Sequence, residues 1–187
     1  GKLNKNDGYF EKGNYVVKIE EKIDMEQLKK SGGSVLAFVT TDNVKVGAKG
    51  ADFIISKLAD GGEVAIIEGK AGNASGENRK QGATEAFKAN AKFKLVASQP
   101  ADWDRSKALD LAANLIQKYP NLKAIYACND TMALGALQAV ANANKTGKII
   151  VVGTDGAPEA KDSIKQGKLS ATVAQDPAMI GATSLKI

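Results

Sequence analysis

Amide, carboxylate and guanidinium side chains recur in the segments that directly follow short apolar runs of this 187-residue chain. These segments are 69–73 (GKAGN), 98–105 (SQPADWDR), 128–130 (CND), 153–156 (GTDG) and 174–176 (AQD). The only Trp, Trp103, and both arginines, Arg79 and Arg105, lie in or just after them. Carboxylates and amides exchange hydrogen bonds with adjacent hydroxyls, a guanidinium donates through a planar fork, and an indole covers a C–H face. The set favours a pocket for a neutral polyhydroxylated ligand.

The same residues also have interpretations that need no ligand. At least one of Asp102 and Asp104 is expected to cap the helix that starts near Arg105, and Trp103 could simply pack at the start of that helix. The other candidates suit a helix cap, a turn or a solvated surface position: Asn129, Asp130, Asp155 and Arg79. Taken alone, no single residue decides the function.

The composition excludes several kinds of catalytic and metal site. The chain has no His, which removes Ser-His-Asp and Cys-His catalysis and His-ligated metal sites. The single Cys128 cannot form an internal disulfide, and we expect it to be a small buried apolar residue. Asp102 and Asp104 resemble the paired aspartates of magnesium phosphatases, but that motif should directly end a strand, and Pro100 intervenes. A small α/β phosphatase is therefore the least favoured alternative, and no cofactor or metal is expected.

The charge distribution does not indicate a nucleic-acid-binding surface. The chain has 26 Lys and Arg against 21 Asp and Glu, a net charge of +5, but only two of the basic residues are Arg. The lysines are scattered and aromatic residues make up only 5% of the chain, so a dispersed surface charge that favours solubility is the better interpretation. No apolar run reaches the roughly 18 residues that indicate a membrane-spanning helix, and no basic-then-apolar leader is present.

Apolar runs and helical patterns alternate along the chain. The predicted strands are 15–19, 35–39, 64–67, 95–97, 124–127, 149–152 and 171–173, and from Val35 onward most begin roughly 25–30 residues apart. Between them, apolar residues recur at helical spacing, and Asp42 and Asp130 occupy predicted N-cap positions. Strands that alternate with helices predict an α/β fold whose parallel sheet is covered on both faces.

Seven segments together resemble a known family. They are 21–25 (EKIDM), 40–44 (TTDNV), 67–77 (IEGKAGNASGE), 97–105 (ASQPADWDR), 129–133 (NDTMA), 152–156 (VGTDG) and 172–175 (TVAQ). In this order and spacing they resemble the periplasmic sugar-binding proteins of the ribose- and allose-binding type, over about residues 13–187. The resemblance implies two Rossmann-like lobes of the type I periplasmic binding protein fold, joined by crossover strands.

The resemblance also implies the function and the organisation of the chain. It implies a non-enzymatic, monomeric, periplasmic protein that holds an allose- or ribose-like monosaccharide in a cleft between its lobes and delivers it to the membrane permease of an ABC transporter. Residues 43–174 would form a complete second lobe, and residues 1–42 and 175–187 would be pieces of the first. The alternative that stays open is the effector-binding core of a transcription repressor, which shares this fold.

Matching the motifs residue by residue assigns candidate sugar contacts. The resemblance implies that Arg79 reaches sugar oxygens, that Trp103 stacks on the ring, and that amide and carboxylate positions bind hydroxyls: Asn129, Asp155 and Gln175. Thr41 and Lys70 match polar positions near the ligand. In the family, the first-lobe motif is usually Asp followed by a charged residue, whereas this chain has Glu20-Glu21. Glu20 is one methylene longer than Asp, and we expect this difference to alter which sugar fits the site.

Overall fold

The computed structural model describes residues 8–11, 14–17, 30–33 and 39–185. The chain divides into two compact units. The smaller unit combines Gly1–Asp42 with Asp176–Ile187, and the larger unit is Asn43–Gln175.

Two short strands of the smaller unit form an antiparallel pair. They are β1 (Gly8–Glu11) and β2 (Asn14–Val17), and they pair with Tyr9 opposite Val16. Only two residues separate them in the sequence, and a connection of that length joins antiparallel strands, not parallel ones. The apolar run 15–19 was predicted to be a strand, and the described part of it, residues 15–17, belongs to β2. Its partner strand β1 runs antiparallel to it. The strand predicted at 35–39 lies outside the described residues except for Val39.

Five parallel strands form the sheet of the larger unit. They are β3 (Gly62–Glu68), β4 (Phe93–Pro100), β5 (Leu122–Ala127), β6 (Ile150–Asp155) and β7 (Ala171–Ala174), in the spatial order β4-β3-β5-β6-β7. Ile66, Ile125 and Val151 on its three central strands are fully buried. Burial on both faces explains why these strands are continuous apolar runs in the sequence.

Helices connect the parallel strands and cover the sheet. They are α1 (Asn43–Lys57), α2 (Ala74–Lys88), α3 (Arg105–Lys118), α4 (Asp130–Asn142) and α5 (Pro158–Lys165), with α6 (Pro177–Ser184) in the smaller unit. The connection from β3 to β4 runs toward one edge of the sheet, and the connection from β4 to β5 runs toward the other edge. Right-handed crossovers therefore put α2 and α3 on opposite faces of the sheet. α1 packs on α2 and α3 packs on α4. The predicted α/β fold with a parallel sheet covered on both faces is confirmed. Among the described residues, no helix is both long and apolar enough to cross a membrane.

The strand order creates a switch point between β3 and β5. The connection after β3 runs outward to the edge strand β4, and the next connection returns past β3 to β5. The loops that leave the carboxyl ends of β3 and β5 therefore diverge, which opens a crevice at that edge of the sheet. Ligands of open α/β sheets bind at such a point.

Two element boundaries differ from the sequence-based expectation. β4 continues through Pro100, so residues 98–100 belong to the strand and not to a loop. An edge strand tolerates Pro because one side of its backbone has no strand partner. The N-cap of α4 is Asn129, whose side chain accepts from the Met132 N–H at 2.8 Å, so Asp130 is the first helical residue and not the cap.

Glycines bring α1 and α2 into backbone contact. A Cβ at Gly47 would overlap the carbonyl oxygen of Arg79, and a Cβ at Gly82 would overlap that of Val44. The two helices therefore approach more closely than larger residues permit at these two positions. This approach places the first residue of α1, Asn43, beside the Arg79 side chain.

We expect Gly47→Ala to destabilise the larger unit by about 1–3 kcal/mol, because the added methyl forces α1 away from α2. Thermal or urea unfolding measures the change. Gly181→Ala in α6 is the matched control, since a Cβ there meets no described atom within 4 Å. The control should leave stability unchanged or raise it by about 0.5–1 kcal/mol, because Ala favours helix over Gly. An equal loss in both variants would contradict the proposed close packing.

Candidate functional site

Arg79 is a buried cation at the switch point of the sheet. It lies in the second turn of α2 and is only 5% exposed. Its Nε donates to Asn43 Oδ1 at 2.9 Å, and its Nη1 donates to the carbonyl oxygen of Cys128 at 2.7 Å. The interpretation of Arg79 as a solvated surface residue is therefore wrong. Burying a guanidinium is costly unless oxygens surround it, so these contacts fix its position.

Asp155 completes the charge balance of this cluster. Its Oδ1 lies 3.2 Å from Arg79 Nη1, and it accepts from Gln175 Nε2 at 2.5 Å. The Asp155 side chain is 39% exposed, whereas that of Arg79 is 6% exposed. The structure thus brings three predicted site residues together at the carboxyl ends of β6 and β7, as a buried cation, a half-exposed anion and an amide.

Three non-glycine residues at strand ends have left-handed backbone conformations. Asp155 has φ of 116°, and Asp102 and Trp103 have φ of 54° and 65°. Such conformations cost about 1–3 kcal/mol each in a non-glycine residue, and they persist only where surrounding contacts hold them. All three lie at or just after the carboxyl ends of β4 and β6, on the edge of the sheet at which ligands of open α/β folds bind.

Trp103 packs against the first turn of α2. A Cβ at Gly69 would overlap the six-membered ring of the indole, and a Cβ at Gly76 would lie 2.9 Å from its Cζ2. The Trp103 side chain is partly buried, and it precedes Asp104, the N-cap of α3. Trp103 thus lies at the entry to α3 as expected, but the residues it packs on are Gly69 after β3 and Gly76 in the first turn of α2. Gly76 lies three residues before Arg79, so the point on α2 that Trp103 contacts is about 4.5 Å from Arg79 along the helix axis.

Asn129 and Lys70 belong to the loops on the two sides of the crevice. Asn129 is half-buried, and its Oδ1 caps α4, so the side chain would donate to a ligand through Nδ2. It directly follows Cys128, whose carbonyl binds Arg79. Lys70 is exposed in the turn after β3, where its carbonyl oxygen accepts from the Asn73 N–H at 3.1 Å.

The remaining predicted contacts lie elsewhere. Thr41 belongs to the smaller unit and is half-buried. Glu20 and Glu21 lie outside the described residues. Their roles as sugar contacts stay predictions.

The paired aspartates Asp102 and Asp104 both have structural partners within the start of α3. Asp104 Oδ1 accepts from the Lys107 N–H at 2.8 Å as the N-cap of α3, and Asp102 forms an ion pair with Lys107 Nζ at 2.7 Å. The cap interpretation of Asp104 is confirmed. Both carboxylates thus have structural partners at the start of α3.

Two buried residues beside the Arg79 and Asp155 cluster are not among the predicted sugar contacts. Asn43 is buried and binds Arg79, yet in the sequence it looks like an ordinary residue at a helix start. Asp130 is 2% exposed, and it accepts from the Thr172 hydroxyl and the Ala157 N–H, both at 2.7 Å. Burial raises the pKa of this carboxyl above its ordinary value, and the two hydrogen bonds oppose that rise. The adjacent pair Asn129-Asp130 was the only sequence signal for it.

The thiol of Cys128 is fully buried. Burial raises its pKa to about 12, although the nearby Arg79 charge opposes the rise, so it stays protonated at neutral pH. The prediction of a small buried apolar residue is confirmed, since Cys128 is fully buried. In residues 39–185 and the other described segments, no group of three or more Cys, Asp or Glu side chains is placed to hold a metal ion.

Curated relatives match most of this chain but only about half of their own length. The D-allose-binding periplasmic protein of Escherichia coli is 69% identical over 179 residues, which is 95% of this chain and 58% of that protein. The ribose import binding protein RbsB of Haemophilus influenzae is 43% identical over 150 residues, which is 80% of this chain and 50% of that protein.

Solved structures of solute-binding proteins share the fold. An ABC transporter periplasmic solute binding protein from Actinobacillus succinogenes, with bound D-allose, matches with a TM-score of 0.81 and 37% identity over 90% of this chain and 58% of its own. A Caulobacter myo-inositol binding protein bound to myo-inositol matches with a TM-score of 0.81 and 29% identity over 91% of this chain and 64% of its own.

The family assignment rests on both the sequence and the fold. The profile of the periplasmic binding protein domain matches residues 22–187, which is most of the chain. The relatives and the solved structures agree with that match and with the resemblance predicted from the motifs. The chain belongs to the periplasmic binding protein family.

Proposed function

We propose that this chain contributes the ligand-binding residues of the solute-binding component of a sugar ABC transporter, and that its ligand is an allose- or ribose-like monosaccharide. Support comes from the relatives, which are a D-allose-binding protein and a ribose import binding protein. A solved solute-binding protein of the same fold contains bound D-allose. The relatives are binding proteins, so we assign no enzymatic reaction to the chain.

The cluster of Arg79, Asp155 and Gln175 is the observation that carries this proposal. Asp155 presents a partly exposed carboxylate that is oriented by a buried guanidinium at 3.2 Å and by an amide at 2.5 Å. A carboxylate held in this way accepts hydrogen bonds from the hydroxyls of a sugar without moving, so less freedom is lost on binding. Arg79 and Gln175 donate, which suits the oxygen lone pairs of the same ligand.

Trp103 and Asn129 would supply the remaining contacts of the larger unit. The indole is held against Gly69 and Gly76 and stays partly exposed, so it offers a rigid apolar surface for the C–H face of a pyranose or furanose ring. Asn129 would donate from Nδ2 to a hydroxyl oxygen, because its Oδ1 is engaged in the cap of α4.

Further assignments in the proposal follow the family. Residues 43–174 would be one lobe, with 1–42 and 175–187 belonging to the other, and the compact unit Asn43–Gln175 supports this division. Glu20, Glu21, Thr41 and Lys70 would line the rest of the site. The periplasmic location, the monomeric state and the permease partner belong to the same proposal, and the periplasmic relatives support the location.

The two alternatives gain no support. The relatives named above are binding proteins of transport systems, and none of them is a repressor. The phosphatase hypothesis gains no support from Asp102 and Asp104, whose contacts are those of an ion pair and a helix cap.

Asp155→Asn tests the central contact. We expect it to weaken the affinity for the bound sugar by about tenfold to about a hundredfold, because a charge-assisted hydrogen bond contributes roughly 1.5–3 kcal/mol. Asp155→Ala should abolish detectable binding. Calorimetric titration with D-allose, D-ribose and D-psicose measures the affinity, and NMR-detected titration extends the range to weak binding.

Asp162→Asn is the matched control for that experiment. Asp162 lies on α5, its side chain is 63% exposed, and it pairs with Lys165 at the surface. The control should retain the affinity of the unsubstituted chain. Unchanged affinity in Asp155→Asn would remove Asp155 from the site, and the absence of saturable binding of any monosaccharide to the unsubstituted protein would overturn the proposed function.

Trp103 can be tested as both probe and contact. Because it is the only Trp, its fluorescence should respond to sugar and saturate with the same affinity as the calorimetric titration. We expect Trp103→Leu to weaken binding by about two- to tenfold, since a ring contact contributes roughly 0.5–1.5 kcal/mol beyond its burial. Trp103→Phe retains a ring and should bind more tightly than Trp103→Leu. Equal affinities of the two variants would argue against stacking.

A further inference from the structure

The turn that carries Asp155 has an unusual backbone. Asp155 has φ of 116° and the following Gly156 has φ of 74°, so two successive residues adopt left-handed conformations. Asp155 has a Cβ and is disfavoured there, so neighbouring contacts must hold this turn in place. The direction of the Asp155 carboxylate, and hence its contact with Arg79, depends on this turn.

Two side chains, the buried Asp130 and the half-buried Thr172, bind the backbone of this turn. The Gly156 N–H donates to Thr172 Oγ1 at 3.1 Å, and the Ala157 N–H donates to Asp130 Oδ2 at 2.7 Å. The Thr172 hydroxyl in turn donates to Asp130 Oδ1 at 2.7 Å. The pair therefore engages both N–H groups that follow Asp155.

We propose that Asp130 and Thr172 are positioning residues, which act through the turn 155–157 to hold the Asp155 carboxylate in its ligand-binding orientation. This inference rests on the proposed function of the Asp155 cluster. Neither side chain needs to touch the sugar. Asn129 and Asp130 would then have separate roles at one helix start, the first facing the ligand and the second fixing the turn.

The environment of Asp130 argues for such a role. Its carboxylate is 2% exposed, and the donors recorded for it among the described residues are the neutral hydroxyl of Thr172 and backbone N–H groups. A buried carboxylate served by neutral donors is expensive to maintain for stability alone. A Cβ at Gly153 would overlap Asp130 Oδ1, so the adjacent strand β6 also leaves room for this group.

Both hydrogen bonds of the Thr172 side chain depend on its hydroxyl group. It accepts from the turn and donates to Asp130, so it connects the turn to the carboxylate. Thr172→Val removes that hydroxyl at nearly constant shape, whereas Thr172→Ser keeps it. Thr146→Val makes the same chemical change at an exposed position outside the turn and serves as the matched control.

The test compares these variants in two independent measurements. Calorimetric or NMR-detected titration with D-allose and D-ribose gives the affinity. Hydrogen exchange of the Gly156 and Ala157 amides, together with the NMR signal of the Arg79 Nε–H, reports the turn and the Arg79 contact without any ligand. We expect Thr172→Val and Asp130→Asn to weaken binding by about tenfold, to accelerate exchange and to shift the Arg79 signal. Thr172→Ser and Thr146→Val should stay within about twofold of the unsubstituted protein.

A double substitution separates positioning from general stabilisation. If Thr172 acts through Asp155, Thr172→Val should weaken binding by less than about twofold in the Asp155→Asn background, because the contact it orients is already impaired. Fully additive losses, or a Thr172→Val variant that binds and exchanges like Thr172→Ser, would overturn the positioning role. If the unsubstituted protein binds no monosaccharide, the proposed function fails, and the exchange and Arg79 measurements still decide whether the pair holds the turn.

Discussion

The buried guanidinium of Arg79 is the constraint on which the site depends. Removing this cation from water is costly, and the cost is offset only where oxygens from several elements meet around it. Asn43 at the start of α1, the Cys128 carbonyl after β5, and Asp155 at the end of β6 supply them. The start of one helix and the ends of two strands are therefore fixed relative to α2. A ligand that meets this cluster finds polar groups that are already oriented.

Glycine provides the space that these large side chains need. Gly47 lets α1 contact the backbone of α2 at Arg79, Gly69 leaves room for the indole of Trp103, and Gly153 leaves room for the carboxylate of Asp130. In each case a single Cβ would overlap the functional group or its backbone. The positions of the charged and aromatic residues thus depend on small residues that are distant from them in sequence. We therefore expect the site to tolerate little change in volume around it.

The sequence predicted the fold better than it predicted the contacts. The alternation of apolar runs with helical patterns is local information, and it was enough for the strands and helices of the larger unit. The burial of Arg79 depends on partners 36 and 49 residues away, so no local pattern distinguishes it from a surface arginine. The same holds for Asp130, whose partner Thr172 is 42 residues away. The predicted N-cap of α4 was Asp130, and the structure has Asn129 instead. Asn and Asp are both good capping residues, so the sequence does not distinguish these adjacent positions.

The charge balance of the cluster favours the neutral ligand that we propose for it. Arg79 and Asp155 together carry no net charge, so an anionic ligand would meet the Asp155 carboxylate and a cationic ligand would compete with the guanidinium. A neutral polyol avoids both penalties, because each hydroxyl donates to the carboxylate or accepts from the guanidinium and amide donors. Under the proposed function, the same groups would also discriminate between sugars. A sugar that lacks a hydroxyl at this position, or that carries it in the other configuration, would leave partly desolvated polar groups unpaired, at a cost of about 1–3 kcal/mol for each group.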